Sequence, residues 1–455
     1  MGLPSYTYLL LFLPAAVLLY RAGASRPSLR TRLLVLTGIA YYAVAAGPGP
    51  LALLVAMTLV SFAGVRAAIR RPDGSRRGLV LMVVLLDLAA LAVFKLGAAS
   101  SLGMADGVSP LGISFYTFNL VSYALDARQG RIVPEASVLS LAAFSTFFPT
   151  VSAGPLLRYG DFHAQEAGAR GPDASSFESG VVTLVVGLAK KVLLADPLGV
   201  AIEPLFADYG RLGLDAWIAV LGYAYQLYFD FSGYTDMAIG AATMLGFRIP
   251  PNFNAPYTAV HITEFWQRWH MTMSQWFRDY LFLPLSRALL RRSPSLEGAE
   301  DVRALCLVFT MVVVGLWHGT TWSFLAWGLY HGLLLAGHAR LRLVRGFSVP
   351  VGLSRALTFA AVLGGWVLLR SPSPGMAVRI WAAMAGIYGG GASTIQSHGT
   401  LMAVVIVLLV ATNLPRSSLP LPMARGGLRS WALAALVVLS LLSMSARRPF
   451  LYFQF

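Results

Sequence analysis

Apolar runs long enough to cross a bilayer recur along this chain, separated by short loops rich in arginine. About 20 apolar residues in a helix span the hydrocarbon core, so repeated runs of this length leave few alternatives to a multi-span membrane protein. The first lies at 3–20 and leads into Arg21, Arg26, Arg30 and Arg32. A second, at 33–46, ends at Gly47-Pro48-Gly49-Pro50, and a third, at 51–65, precedes Arg66, Arg70, Arg71, Arg76 and Arg77. The fourth is 79–98 and contains Asp87 and Lys95. Two basic loops flanking a neutral turn put the basic loops in the cytoplasm and the amino terminus outside. The stretch 1–20 lacks a basic leader region and reads as the first span rather than a cleaved signal.

Composition closes off other classes. The chain is 57% hydrophobic and 12% charged, against about 25% charged in soluble domains, which excludes an ordinary cytosolic enzyme. Its net charge of +15 belongs to the loop arginines. No base-stacking platform accompanies them, so no nucleic-acid partner is expected. The single cysteine, Cys306, stands in an apolar run and reads as a buried structural thiol.

Beyond residue 110 the pattern becomes irregular. The stretch 144–155 holds Pro149, Gly154 and Pro155 in little more than ten residues, which predicts a broken or re-entrant helix. A polar loop is expected at 165–176, then a run at 180–195 with Lys190-Lys191 at a cytoplasmic edge. The segment 263–283 mixes Trp266, Trp269, Trp276 and Tyr280 with Arg268, His270, Arg278 and Asp279; that suits a helix at the headgroup boundary rather than a span. A loop at 291–303 and runs at 304–317, 322–337, 353–369, 401–414 and 431–444 follow, with 370–399 ambiguous. The expected fold is all-α and polytopic, with about eleven to thirteen membrane-embedded segments. It reads as one domain over 1–455: spans at 1–100, a core at 110–340 and further spans at 350–455.

Charged and imidazole side chains at membrane depth cost several kcal/mol and mark sites of work. His318 follows a long apolar run and sits between Trp317 and Gly319. It suits a neutral imidazole that accepts a proton, or a ring that caps a helix end. His270 lies one helical turn after Trp266 and one before Ser274, which puts all three on one face if the helix is continuous. Arg268 and Arg278 on that segment suit an anionic group, although a boundary helix facing lipid phosphates has the same pattern. Asp230 and Asp236 flank Ser232-Gly233, and a buried carboxylate there needs an arginine, histidine or tyrosine partner. His261, His331 and His338 read as packing or boundary residues. No His/Cys/carboxylate set has metal-ligand spacing, so no metal is expected.

Several ordered motifs resemble the membrane-bound O-acyltransferase family, in the bacterial polysaccharide-modifying branch that includes alginate O-acetyltransferase. They are Gly112-Ile113-Ser114-Phe115-Tyr116-Thr117-Phe118, Phe147-Phe148-Pro149 with Ala153-Gly154-Pro155, Gly187-Leu188-Ala189-Lys190-Lys191 and Tyr228-Phe229-Asp230-Phe231-Ser232-Gly233-Tyr234. Phe265-Trp266-Gln267-Arg268-Trp269-His270, Gly315-Leu316-Trp317-His318-Gly319 and the closing Phe450-Leu451-Tyr452-Phe453-Gln454-Phe455 complete the set. Thr150-Val151-Ser152 departs from relatives that carry a larger or amide side chain there.

The resemblance implies helices around a central tunnel, where a cytosolic acyl thioester, acetyl-CoA or an acyl carrier, meets an acceptor from outside. It implies catalysis by His318 with His270 beside it, no bound cofactor, and a bacterial inner-membrane location. Substrate contacts are expected from Trp317, Trp266, Trp269, Arg268, Asp230, Asp236 and Tyr228, and donor phosphates near Lys190 and Lys191. The expected partners are the lipid bilayer, an exported polysaccharide and a periplasmic acetyltransferase-like protein. D-alanyl transfer to a teichoic-acid-type polymer, a transporter or flippase, and a purely assembling subunit remain rival readings.

Overall fold

The computed structural model describes residues 1–23, 26–71, 73–97, 110–133, 137–168, 173–207, 215–292, 296–341, 349–387, 401, 403–405, 407–408, 427–444 and 450–451. Among these residues the regular structure is helical and no strand occurs, as the all-α expectation required. Most of the ambiguous stretch 370–399 beyond residue 387, much of the run 401–414, and Tyr452 to Phe455 lie outside the described residues.

The chain divides into two compact units. The first comprises Met1–Ala189, Gly233–Pro251 and Leu436–Ser445. A π-helical turn, Thr7–Phe12, leads into α1 (Leu13–Ala22), followed by α2 (Pro27–Ala46), α3 (Pro48–Ile69) and α4 (Asp73–Gly97). Helix α2 ends where Gly47 adopts a positive φ of 88°, and Pro48 opens α3 at a position where a missing N–H costs nothing. Pro27–Ala46, Pro48–Ile69 and Gly74–Gly97 are long and apolar enough to cross a membrane. Asp87 within α4 is buried, and its Oδ2 accepts a hydrogen bond from Ser61 Oγ of α3 at 2.9 Å.

After α5 (Ile113–Arg128) and α6 (Val138–Ser145), residues 146–153 run in turns through a buried setting. This is the break predicted for 144–155. Such backbone needs local partners at membrane depth; Thr150 and Val151 N–H donate to the Phe147 carbonyl, and Gly154 N–H to that of Thr150. Gly112 has φ 70° and lies against the Val151 carbonyl, a position no side chain would allow. Ser152 Oγ hydrogen-bonds Tyr234 Oη at 2.5 Å, a polar anchor for this broken segment.

Two expected loops are helical instead. The 165–176 stretch contains the end of α7 (Tyr159–Gly168) and the start of α8 (Ala174–Ala189), with 169–172 outside the described residues. Asp173 Oδ1 accepts the Ser176 N–H at 2.7 Å, a cap that a count of small polar residues overlooks. Helix α8 lies against the second half of α10 (Asp215–Met244) through Gly180 and Gly187, which face the carbonyls of Gly240 and Gly233.

The second unit comprises Lys190–Ser232, Asn252–Ala435 and Ala446–Phe455. It holds a π-helical turn Lys190–Ala195, α9 (Asp196–Ala207) and the first part of α10. Three short helices follow a 3-10 turn at Pro256–Thr258: α11 (Ile262–Arg268), α12 (Met271–Phe277) and, beyond a further π turn at Arg278–Phe282, α13 (Leu283–Leu290). Then come α14 (Leu296–His318), α15 (Trp322–Leu341), α16 (Val351–Arg370), α17 (Pro374–Met384) and α18 (Gly427–Ser443), whose end belongs to the first unit. Helix α16 is again long and apolar enough to cross a membrane. The expected loop at 291–303 is corrected at its C-terminal side, where α14 has begun by Leu296; Glu, Ala and Arg there are strong helix formers.

Helices α14 and α15 form a tight antiparallel pair. Gly315 meets the Phe324 carbonyl and Gly328, Gly328 meets the Met311 carbonyl, and Gly332 meets Val308. Glycine at each contact lets the two backbones touch, and this fixes where the last residue of α14 points.

Candidate active site

His318 is that last residue. Its ring is buried, 4.6 Å from the Trp317 ring and 5.2 Å from that of Trp327 at 83°. Gly319 is packed against the Phe324 ring, so the glycine flanking the histidine serves helix packing. His270 lies 6.4 Å from the same Trp317 ring. One indole therefore contacts both histidines, and the two expected catalytic residues belong to one aromatic cluster. Trp266 joins it through Trp327 at 5.7 Å and His331 at 5.2 Å.

The expectation of one helical face shared by Trp266, His270 and Ser274 is corrected. The helix stops at Arg268, and His270 adopts the left-handed conformation, φ 44° and ψ 51°, before α12 starts. No glycine or proline marks the break. It is held by backbone pairing between two segments: Asn254 N–H donates to the Arg268 carbonyl at 2.9 Å, and Met271 N–H to the Asn252 carbonyl at 2.9 Å. Asn252 Oδ1 in turn receives Thr272 N–H at 3.2 Å and Thr272 Oγ at 2.9 Å, and lies 3.2 Å from His270 Nδ1. Phe231 stands edge-on to the imidazole at 4.7 Å.

A cavity of about 380 Å³ lies beside this cluster, with a mostly apolar wall that includes Trp266, Phe277, Met311 and Val314 and polar groups from Gln267, Gln275 and Arg278. Neither His270 nor His318 lines it. Its Trp266 and Phe277 are the rings that contact Trp327 and Trp317. The indole N–H groups of Trp266 and Trp327 are buried with no partner among the described residues. A buried donor left unpaired costs about 1–3 kcal/mol.

The other expected contacts fall into three settings. Trp269 and Tyr228 belong to an aromatic core with Phe253 and Tyr257, in which Trp366 also packs on Trp269. Arg268 is engaged by Glu264 at 2.6 Å and Thr258 Oγ1 at 3.2 Å. Burial pushes the Glu264 carboxyl up, but the Val260 N–H, Arg268 and His261 outweigh it and hold it below the usual carboxylate range. Asp236 belongs to the first unit, where its Cβ lies against Gly187.

Asp230 is 2% exposed, and its partner is none of the types expected from sequence. Lys191 Nζ bonds Asp230 Oδ1 at 2.5 Å and Asp196 Oδ1 at 2.7 Å, while Asp230 Oδ2 accepts the Leu451 N–H at 2.8 Å. Lys191 is 3% exposed and held by these two carboxylates, so it is not an open cation for donor phosphates. A lysine pair looks the same in sequence whether it meets headgroups or a buried carboxylate.

Sequence reasoning missed Asn252 and Trp327 and set His331 aside. His331 is fully buried beside Trp327 and Trp266 with neither ring nitrogen bonded among the described residues. His338 hydrogen-bonds Thr263 at 2.9 Å and stacks on His261.

Comparison with known proteins decides the class of this chain. The family model for membrane-bound O-acyltransferases matches residues 39–349. The chain belongs to the membrane-bound O-acyltransferase family. It is 36% identical to the probable alginate O-acetylase AlgI of Azotobacter vinelandii over 397 residues, covering 84% of this chain and 77% of that protein. It is 32% identical to the peptidoglycan O-acetyltransferase of Helicobacter pylori, over 62% of this chain and 58% of that one. The teichoic acid D-alanyltransferase of Bacillus subtilis is 32% identical over 50% and 58% respectively. The chain is therefore a polytopic membrane O-acyltransferase with an acyl donor as a substrate, and the carrier and assembly-subunit readings are set aside.

Proposed function

We propose that this enzyme sits in a bacterial inner membrane with its amino terminus outside. It passes an acetyl group from a cytosolic thioester, acetyl-CoA, to a hydroxyl of an exported polysaccharide, directly or through a serine of a periplasmic acetyltransferase-like partner. The observation that carries this reading is the contact of both His318 and His270 with Trp317, beside a cavity walled by Trp266, Phe277 and Arg278. Acetyl is favoured over D-alanyl because the match to the alginate O-acetylase covers far more of this chain than the match to the D-alanyltransferase.

In this mechanism the apolar cavity holds the arm of the thioester and Arg278 meets an anionic group at its mouth. His318 takes the proton as the acceptor oxygen attacks the thioester carbonyl. A new C–O bond forms, the C–S bond breaks, and the thiolate leaves protonated. The indole N–H groups of Trp266 and Trp327 are donors for the developing oxyanion. Asp230, with both carboxylate oxygens engaged, belongs to the scaffold in this scheme, together with the aromatic core of Trp269 and Tyr228 and the Arg268–Glu264 pair.

The test uses purified protein in detergent with acetyl-CoA and an acceptor oligosaccharide. His318→Ala is expected to lower thiol release by about 10²–10⁴-fold, the usual worth of a general base, with an unchanged melting temperature. Wild-type release by the folded variant would overturn the assignment.

A further inference from the structure

We propose that Asn252 is the positioning residue of the site: it fixes His270 as its Nδ1–H tautomer, so that Nε2 carries the lone pair. This rests on the acyl-transfer reading for its functional meaning, but its geometry is independent of it.

Asn252 is fully buried. An amide side chain has one accepting and one donating end, and which is which follows from its neighbours. The Thr272 N–H is an obligate donor and lies 3.2 Å from the atom placed as Oδ1, with Thr272 Oγ at 2.9 Å. Turning the amide over would aim its N–H₂ at that N–H and leave a buried oxygen in the place of Nδ2, which has no partner among the described residues. Oδ1 therefore faces Thr272. The same oxygen is 3.2 Å from His270 Nδ1, and an oxygen that only accepts requires a hydrogen on that nitrogen. A neutral imidazole with Nδ1–H has its basic lone pair on Nε2.

The backbone of Asn252 contributes as well, since its carbonyl accepts the Met271 N–H at 2.9 Å. Side chain and main chain thus bracket His270 on its ring and on its C-terminal peptide, at a residue whose left-handed backbone needs external support. Phe231 closes the ring's edge at 4.7 Å. With these contacts the imidazole can neither exchange tautomers nor rotate without breaking a buried hydrogen bond. Orienting partners of this kind are worth about 10–100-fold in activity.

The test combines kinetics with a measurement that needs no substrate. Asn252→Leu, close in volume and without an acceptor, is made in the full-length protein alone and with His270→Ala. Turnover by Asn252→Leu is expected to fall about 10–100-fold while the KM for acetyl-CoA stays within about twofold. In the His270→Ala background the same change is expected to have almost no further effect on turnover. Imidazole 15N shifts, with the His270 signal identified by its loss in His270→Ala, are expected to show Nδ1–H in the wild type and a mixture of tautomers in Asn252→Leu. An Nε2–H wild-type signal overturns the proposal whatever the enzyme's substrate. Additive losses in the double variant, or a fall in turnover matched by the same rise in KM and a collapsed melt, overturn it by showing a packing role. A wild type that releases no thiol, with the Nδ1–H signal intact, sinks only the acyl-transfer reading.

Discussion

His318 and His270 both contact Trp317, but they are held by different physics. His318 ends a long helix whose direction is set by backbone-to-backbone packing at Gly315, Gly328 and Gly332. His270 stands in a break between two seven-residue helices, in a left-handed conformation maintained by Asn252 and the 252–254 segment. One imidazole is placed by a rigid element, the other by a local arrangement of hydrogen bonds. The first is protected from small changes nearby and sensitive to anything that parts the two helices. The second is sensitive to a single amide.

Three experiments press on this difference. The largest effect is expected at the helix seam. Gly328→Leu forces a side chain onto the Met311 carbonyl and overpacks the pair by about 1–3 kcal/mol or more. Lower yield and a lower melting temperature in detergent should accompany lost activity, and a normally stable, active variant would show that the seam does not place His318. A smaller effect is expected from backbone strain alone. His270→Asn accepts a positive φ, whereas His270→Val, β-branched, does not; the valine variant should be less stable than the asparagine variant by about 1–2 kcal/mol. At position 318, the last helical residue of α14, the same pair of substitutions should show no such gap in thermal melts.

The smallest effect concerns Glu264, which braces α11 ahead of the break. Its carboxylate accepts from Val260 N–H at 2.7 Å and Arg268 at 2.6 Å, and the Glu264 N–H donates to His261 Nδ1 at 3.0 Å, in the manner of a capping box. A carboxyl held below its ordinary value stabilises the fold above the unfolded pKa of about 4.3. That contribution is lost as pH falls through the folded value. Melting temperature should therefore drop more steeply below about pH 4.3 in the wild type than in Glu264→Gln. Parallel curves would mean that the brace contributes nothing.

What the sequence discloses follows the same division. His318, Trp317 and the long runs on either side are readable because period, length and glycine spacing are local properties. The break at 144–155 is readable because Pro149, Gly154 and Pro155 announce it. The break at Trp269–His270 is not, since no residue there is a helix breaker and the cause lies in residues 252–254. Lys191 shows the limit from another side. Its charge is visible, but the carboxylate it meets is 39 positions away, and only folding shows that the pair is buried. Asn252 carries no signal of its own, because an asparagine after two prolines reads as a turn.

The hydrogen bond from Leu451 to Asp230 joins residues 221 positions apart. During synthesis the Lys191–Asp230 pair thus forms well before its last partner exists. At about 5–20 residues/s the interval is on the order of tens of seconds. Through that window one carboxylate oxygen lacks its backbone donor, and Phe231, which flanks His270, lacks the Phe450 ring that backs it. These contacts therefore wait on residues made 221 positions later, and a ribosome stalled before Phe450 would leave Asp230 and Phe231 without them.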